Sequence, residues 1–291
     1  MRSQSTIVSL LREGAETLAE ISPTPRLDAE VLLGHLLGLS RLHLIVEGST
    51  PVAAECEATF RALLARRGRH EPVAYLTGTK EFWGLDFAVT PAVLIPRPDT
   101  EVLVEESIRL LSKSPRVASL EEPFRVLDLG TGSGCIAIAI SHEARQRGIP
   151  VSVIATDKSE RALAVACHNA EHLGVPVQFI RAEWVEPFST AAVFDLIISN
   201  PPYIDPTDTN RSPETDHEPS SALFASDSGL SDIRHLLATC PSLLRTGGGI
   251  LLEVGVHQAQ VVVRDHLPTG FVGHTVQDLS GIERVVVVRS A

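Results

Sequence analysis

The sequence predicts an α/β protein in two parts, a small helical region followed by a doubly wound, mostly parallel sheet. Three observations predict it. Apolar residues recur at three and four spacing up to about residue 70, strand-like runs then alternate with helical segments, and two closely spaced β runs end the chain. A length of 291 residues suits about two cores.

In the first part, Leu32, Leu33, Leu36 and Leu37 follow the helix-opening pair Thr24-Pro25. The last helix there carries Arg61, Arg66, Arg67 and Arg69, which are expected to form a solvated face. From Tyr75 to Ile95 the pattern turns to the short β-like runs EFWG, LDFAV and AVLIP, broken by Gly78, Gly84 and Pro91, and reads as a connecting hairpin. RPDTEVLVEESIRLL opens a new helix, in which Pro98 suits the first turn and Asp99 and Glu101 complement its positive end. These signals divide the chain into a helical domain at 1–73, a hairpin linker at 74–97 and a sheet domain at 98–291.

After a Ser/Pro-rich stretch from Lys113 to Pro123, the strands are RVLDLG, VSVIATD, VQFIRAE, FDLIIS and GGILLEVG, with helical segments such as SERALAVACHNAEHLG between them. That alternation implies parallel strands with right-handed crossovers. FVGHTVQDL and ERVVVVRS lie too close together for a crossover helix and are expected to close the sheet as an antiparallel pair.

Composition narrows the function classes. A formal net charge of −11 argues against a broad basic surface for nucleic acid. Cys56, Cys135, Cys167 and Cys240 form no CxxC pair, and the 11 histidines show no HExxH, so neither a disulfide framework nor a metal site is expected. The first residues lack a signal-peptide core, and no run reaches the roughly 18 apolar residues of a spanning helix. A cytoplasmic protein, off the membrane, is expected.

The first strand of the sheet ends in VLDLGTGSGC. A dinucleotide fingerprint would need a glycine at Cys135, and no P-loop lysine follows. What remains is a GxGxG turn, Gly130, Thr131, Gly132, Ser133 and Gly134, where a ligand approaches the backbone and a helix N-terminus attracts a negative group. S-adenosylmethionine fits such a turn, its carboxylate on the helix end and its adenosine along the strand tips. Asp157, ending the second strand, would accept from the ribose hydroxyls. The plain alternative is a tight turn of small residues, with Asp157 capping the next helix. Trp184 and Glu183 in RAEWVEP are candidates for the adenine face and its polar edge, although a tryptophan there also suits a core.

The fourth strand runs into Asn200, Pro201, Pro202 and Tyr203 at the edge where open α/β sheets bind ligands. The Asn200 side-chain carbonyl and the Pro201 backbone carbonyl can each accept one N–H of a planar NH2 group. The nitrogen then pyramidalises and directs its lone pair at a sulfonium methyl. The prolines stiffen the loop, and Tyr203 offers a packing face. An Asn-Pro turn with a buried tyrosine is the bland alternative.

These residues, with DAEVLLGHLLG, EPVAYLTGTKEFWGLDFAVTPAVLIPRPDTE, DLGTGSGCIAIAI, EPSSALFASDSGLSDIRHLL and ERVVVVR, resemble the peptide chain release factor N5-glutamine methyltransferases, the PrmC/HemK family. The resemblance covers most of the chain. It implies a class I S-adenosylmethionine-dependent methyltransferase, a Rossmann-like seven-stranded mixed sheet, preceded by a small helical-bundle domain that binds substrate and a β-hairpin linker. It implies methyl transfer to the glutamine amide of the GGQ motif in class-one release factors, with S-adenosylhomocysteine as product, in a monomer. By motif match, cofactor contacts fall on Gly130 to Gly134, Asp157, Glu183, Trp184 and Asn200, substrate contacts on Asn200 to Tyr203, and catalysis on Asn200, Pro201 and Tyr203. NPPY alone also suits an amino methyltransferase acting on adenine N6 or guanine N2, which the acidic charge disfavours. Asp99 stands where the family pattern has glutamate, and Asp216 and His217 replace a nearby arginine, His217 being expected as a solvated loop residue.

Overall fold

The computed structural model describes residues 5–114, 116, 122–188 and 192–291. The Ser/Pro-rich stretch after Lys113 and the start of the N-terminus fall largely outside them. The chain forms two compact units, Met1–Thr79 with Ser212–His217, and Lys80–Arg211 with Glu218–Ala291.

The first unit is helical: α1 (Ile7–Thr17), α2 (Pro25–Leu37), α3 (Arg41–Val46), α4 (Ala54–Arg67) and α5 (Val73–Thr77). Thr6 and Ser9 cap α1 reciprocally, and Pro25 opens α2 at a position whose N–H would be unpaired anyway. Leu10, Leu32, Leu33, Phe60 and Leu64 meet in its core. Two expectations are corrected here. The segment around Tyr75 is helical, its backbone closing helical bonds such as Leu76 N to Pro72 O. Arg67 is 3% exposed rather than solvated, because it donates to Asp28 at 2.7 Å and to Glu214 at 2.6 Å. The sequence separation of 147 residues hides the second partner from any local reading. His217 is half-buried, its Nε2 3.1 Å from the Arg69 carbonyl oxygen.

The hairpin pairs β1 (Thr79–Phe82) with β2 (Leu85–Ala88). Its two turn residues, Trp83 and Gly84, both have positive φ, the backbone that matches strand twist. AVLIP is not a third strand. Its Ile95 N–H donates to Glu218 Oε2 at 3.0 Å, and Arg97 pairs with the same carboxylate, so a side chain replaces the ladder.

The second unit continues with α6 (Glu101–Lys113), β3 (Phe124–Leu129), α7 (Cys135–Gln146), β4 (Val151–Asp157), α8 (Glu160–Leu173), β5 (Gln178–Arg181) and β6 (Phe194–Ser199). After the short α9 (Ser220–Leu223) and α10 (Ser226–Gly229) come α11 (Ser231–Thr239), β7 (Leu244–Glu253), α12 (Gln258–Asp265), β8 (Phe271–Gln277) and β9 (Glu283–Ser290). The seven strands lie in the order β5-β4-β3-β6-β7-β9-β8. The first five pair in parallel, and β9 runs antiparallel to both β7 and β8, as the short connection requires.

Both faces are covered, which explains the continuous apolar runs. Val126, Leu196, Ile198, Val285 and Val287 pack on one side with α6 and α7, while Leu127, Ile197, Ile250, Val286 and Val288 pack on the other with α11. The strand order reverses between β3 and β6, so a crevice opens at their carboxyl ends.

Candidate active site

Register brings the two sequence signals together. Leu129 of β3 is level with Ser199 of β6, and Ser199 Oγ donates to Leu129 O at 2.7 Å. Gly130 and Asn200, the next residue on each strand, therefore leave the sheet side by side, about one strand spacing apart.

The glycine turn is fastened to the end of β4. Gly130 N and Thr131 N both donate to Thr156 O, at 2.9 and 2.8 Å, and Gly132 N donates to Asp157 Oδ2 at 2.9 Å. Gly130 and Gly132 have φ of +74° and +56°, backbone that side-chain-bearing residues rarely adopt. A Cβ on Gly132 would project into open space, and one on Gly130 would lie 3.5 Å from the Trp184 ring. The loop is thus a bare backbone cradle. Helix α7 begins behind it with no side-chain cap, which leaves its first N–H groups to a ligand or solvent.

A cavity of about 230 Å³ opens at these strand tips, and its wall includes Gly130, Gly132, Asp157, Glu183, Trp184, Asn200 and Pro202. Seven of the residues singled out in the sequence therefore share one wall. The Asp157 carboxylate accepts backbone N–H bonds from Gly132 and Ser159, at 2.9 and 2.8 Å, and retains further lone pairs for hydroxyl donors. Trp184 holds a left-handed backbone, φ +48°, at the turn after β5, and Glu183 is exposed beside Lys158 at 3.5 Å. Asn200 Nδ2 donates to Thr100 Oγ1 at 3.3 Å. That bond orients the amide and leaves Oδ1 as its available acceptor.

The remaining sequence candidates stand behind the wall. Thr131 and Ser133 are buried, with Thr131 Oγ1 donating to Asp128 Oδ2 at 2.6 Å, and a Cβ on Gly134 would crowd Ile138 and Ala166. Pro201 is buried as well. Tyr203 packs on the core beside α11 and donates its hydroxyl to Glu253 Oε1 at 3.2 Å. Burial pushes its phenol well above the usual tyrosine range, so it remains a hydroxyl donor.

The sequence reading missed Asp128, Glu253, Thr100 and Gln258. Asp128 and Glu253 are lone acids inside apolar strands, both almost fully buried, and burial pushes each carboxyl up to about 7. An acid in such a run was the available signal. Gln258 Nε2 donates to the carbonyl oxygens of Tyr203 and Ser228, each at 3.1 Å, and fixes the loop's backbone. The segment AVLIP and the ALFASD stretch add to the cavity wall through Leu94, Ala222 and Phe224.

The family model of the PrmC N-terminal domain matches residues 9–78, and that of the methyltransferase small domain matches residues 110–214. A release factor glutamine methyltransferase of Geobacter sulfurreducens is 42% identical over 264 residues, covering 90% of this chain and 88% of its own length. Its namesake in Escherichia coli is 39% identical over 284 residues, covering 96% of this chain and 97% of its own. Among solved structures, a methyltransferase from Pyrococcus furiosus aligns with a TM-score of 0.50 at 18% identity, over 77% of this chain and 96% of that one. The catalytic domain of human Mettl16, solved with an RNA hairpin, aligns with a TM-score of 0.51 at 16% identity, over 78% and 81%. These two similarities concern the fold.

Proposed function

The chain belongs to the release factor glutamine methyltransferase family, and on that basis we propose that it methylates the side-chain amide nitrogen, N5, of the glutamine in the GGQ motif of class-one peptide chain release factors. The donor is S-adenosylmethionine. The residues present suit that donor: an open glycine cradle that a Cβ would fill, an uncapped helix N-terminus for a carboxylate, the Asp157 carboxylate for ribose hydroxyls and the Trp184 ring for adenine. When bound, it supplies a sulfonium methyl as electrophile.

The chain's own part is to prepare the nitrogen. An amide nitrogen is weakly nucleophilic because its lone pair is delocalised into the carbonyl. Asn200 Oδ1 and the Pro201 carbonyl oxygen accept its two N–H bonds, which favours the pyramidal geometry and aims the lone pair. The two prolines keep that pair of acceptors from swinging, and the half-buried Tyr203 anchors the loop from behind. No strong base is needed, since the proton turns acidic only as the new N–C bond forms.

The observation that carries this reading is the Asn200 amide on the cavity wall, level with the glycine cradle and oriented by Thr100. The net charge of −11 supports a protein substrate over a nucleic acid phosphate backbone. Among the described residues no helix is long and apolar enough to cross a membrane. Our reading is of a cytoplasmic monomer whose helical domain helps to bind the release factor.

Mass spectrometry of a purified release factor after incubation with the protein and S-adenosylmethionine should find one added methyl on the GGQ glutamine. Asn200→Ala should retain cofactor binding and lose about 100-fold or more in turnover, in line with removal of one oriented polar group. An unmodified release factor beside a methylated DNA or RNA would overturn the substrate. Unchanged turnover in the variant would overturn the mechanism.

A further inference from the structure

Glu253 has no role in the scheme above, yet its placement is unusual. It ends a central strand, is 1% exposed, and lies among apolar residues that pack both faces of the sheet. Its Oε2 makes no hydrogen bond among the described residues. The nearby Arg284 directs its guanidinium to Asp99 at 2.9 Å and Asp278 at 3.2 Å, so the carboxyl is not held as half of an ion pair. A buried acid kept without a charged partner is unfavourable unless it organises something.

What it organises is the Asn200 loop. Ser199 of β6 is level with Leu252 of β7, so Asn200 and Glu253, the next residue on each strand, are lateral neighbours at the sheet edge. Glu253 Oε1 accepts the Tyr203 hydroxyl at 3.2 Å. The carboxyl thereby grips the loop at Tyr203, just beyond the two prolines that follow Asn200. On the other side of the loop, Thr100 Oγ1 accepts from Asn200 Nδ2 at 3.3 Å.

We propose that Glu253 is a positioning residue for methyl transfer, holding the Asn200 loop in place through its bond with the Tyr203 hydroxyl. The inference rests on the proposed reading of Asn200 as an acceptor for the substrate amide. Small angular errors in an acceptor pair lower turnover without weakening the binding of either reactant, so the signature is a loss confined to kcat.

The test measures steady-state methylation of a release factor, with calorimetry for cofactor affinity. Glu253→Leu should lower kcat about 30-fold, with KM for the release factor and Kd for S-adenosylmethionine within about threefold of wild type. Glu253→Gln, which still offers a carbonyl oxygen to the Tyr203 hydroxyl, should recover kcat to within about threefold. Tyr203→Phe, which removes only the hydroxyl, should lower kcat on its own, and adding it to Glu253→Leu should give less than the product of the single effects, as coupled residues do. Wild-type kcat in Glu253→Leu, a loss expressed in cofactor affinity, or strictly multiplicative effects would overturn the proposal. Should Glu253→Leu fail to fold, Tyr203→Phe decides alone, and a wild-type kcat there would overturn the proposal. Failure of the underlying reading is distinct, because the wild-type protein would then leave the release factor unmethylated.

Discussion

Replacing Gly229 by alanine should damage turnover from outside the cavity. Gly229 closes α10, where Asp227 and Ser228 are also left-handed, and its own φ is +80°. A Cβ built there would stand 2.0 Å from the Tyr203 carbonyl oxygen and 2.7 Å from Gln258 Nε2. Ordinary contact begins near 3.4 Å, so either the Tyr203 backbone or the α10 turn must retreat by more than ~1 Å, and the interior is too tightly packed to absorb that elsewhere. The left-handed backbone adds roughly 1–2 kcal/mol for a residue with a side chain. Losing the Gln258 bond adds about 1 kcal/mol. The variant should therefore unfold roughly 2–3 kcal/mol more easily in urea. Tyr203 is joined to Asn200 through Pro201 and Pro202, which transmit displacement instead of damping it. A misplacement of about 1 Å in a reacting group lowers turnover about 100-fold. Single-turnover methylation of a release factor, with cofactor binding measured in parallel, checks this. A folded Gly229→Ala protein with kcat within threefold of wild type would refute the claim that the α10 turn sets the position of the loop.

Asp128 sets a second expectation, in pH. Burial lifts its folded pKa to about 7, so folding takes up a proton, and that stabilising contribution is present at acid pH and lost as pH rises through about 7. Between about pH 5.5 and about 8.5 the effect amounts to roughly 2 kcal/mol, which urea titrations of Asp128→Asn should find missing from the pH slope. The part due to Glu253, which has the same sign, should remain in that variant. In the helical unit, Arg67→Ala leaves Asp28 buried without its partner and should cost roughly 3–5 kcal/mol, read as a lower urea midpoint. A loss below about 1 kcal/mol would mean that the Arg67 cluster contributes specificity instead of stability.

The sheet was legible in the sequence because a strand buried on both faces announces itself. Val285 to Val288 alternate between the two cores, as do Val126 and Leu127. The glycine turn and Asn200 were legible because both stand at strand ends, where topology alone brings them together. AVLIP misled because an apolar run implies a ladder, whereas its Ile95 N–H is satisfied by Glu218, 123 residues away. Arg67 misled for the same reason, its partner Glu214 being remote in sequence. The supporting contacts of Thr100 and Gln258 carry no local signature, since each depends on an amide or carbonyl brought near by the fold. Asp128 and Glu253 did carry one, an acid inside an apolar strand, and its cause lies in the hydroxyls they face.

The chain has two tryptophans, and the fold separates them by environment. Trp184 forms part of the cavity wall, against Gly130. Trp83 sits in the hairpin turn, its Nε1 donating to Glu143 Oε2 at 3.1 Å. Indole emission follows the polarity around the ring, so one fluorophore reports from the wall itself and the other supplies a steady background. Filling the cavity changes the colour and intensity of the protein's own light, and a binding isotherm is available with no label attached.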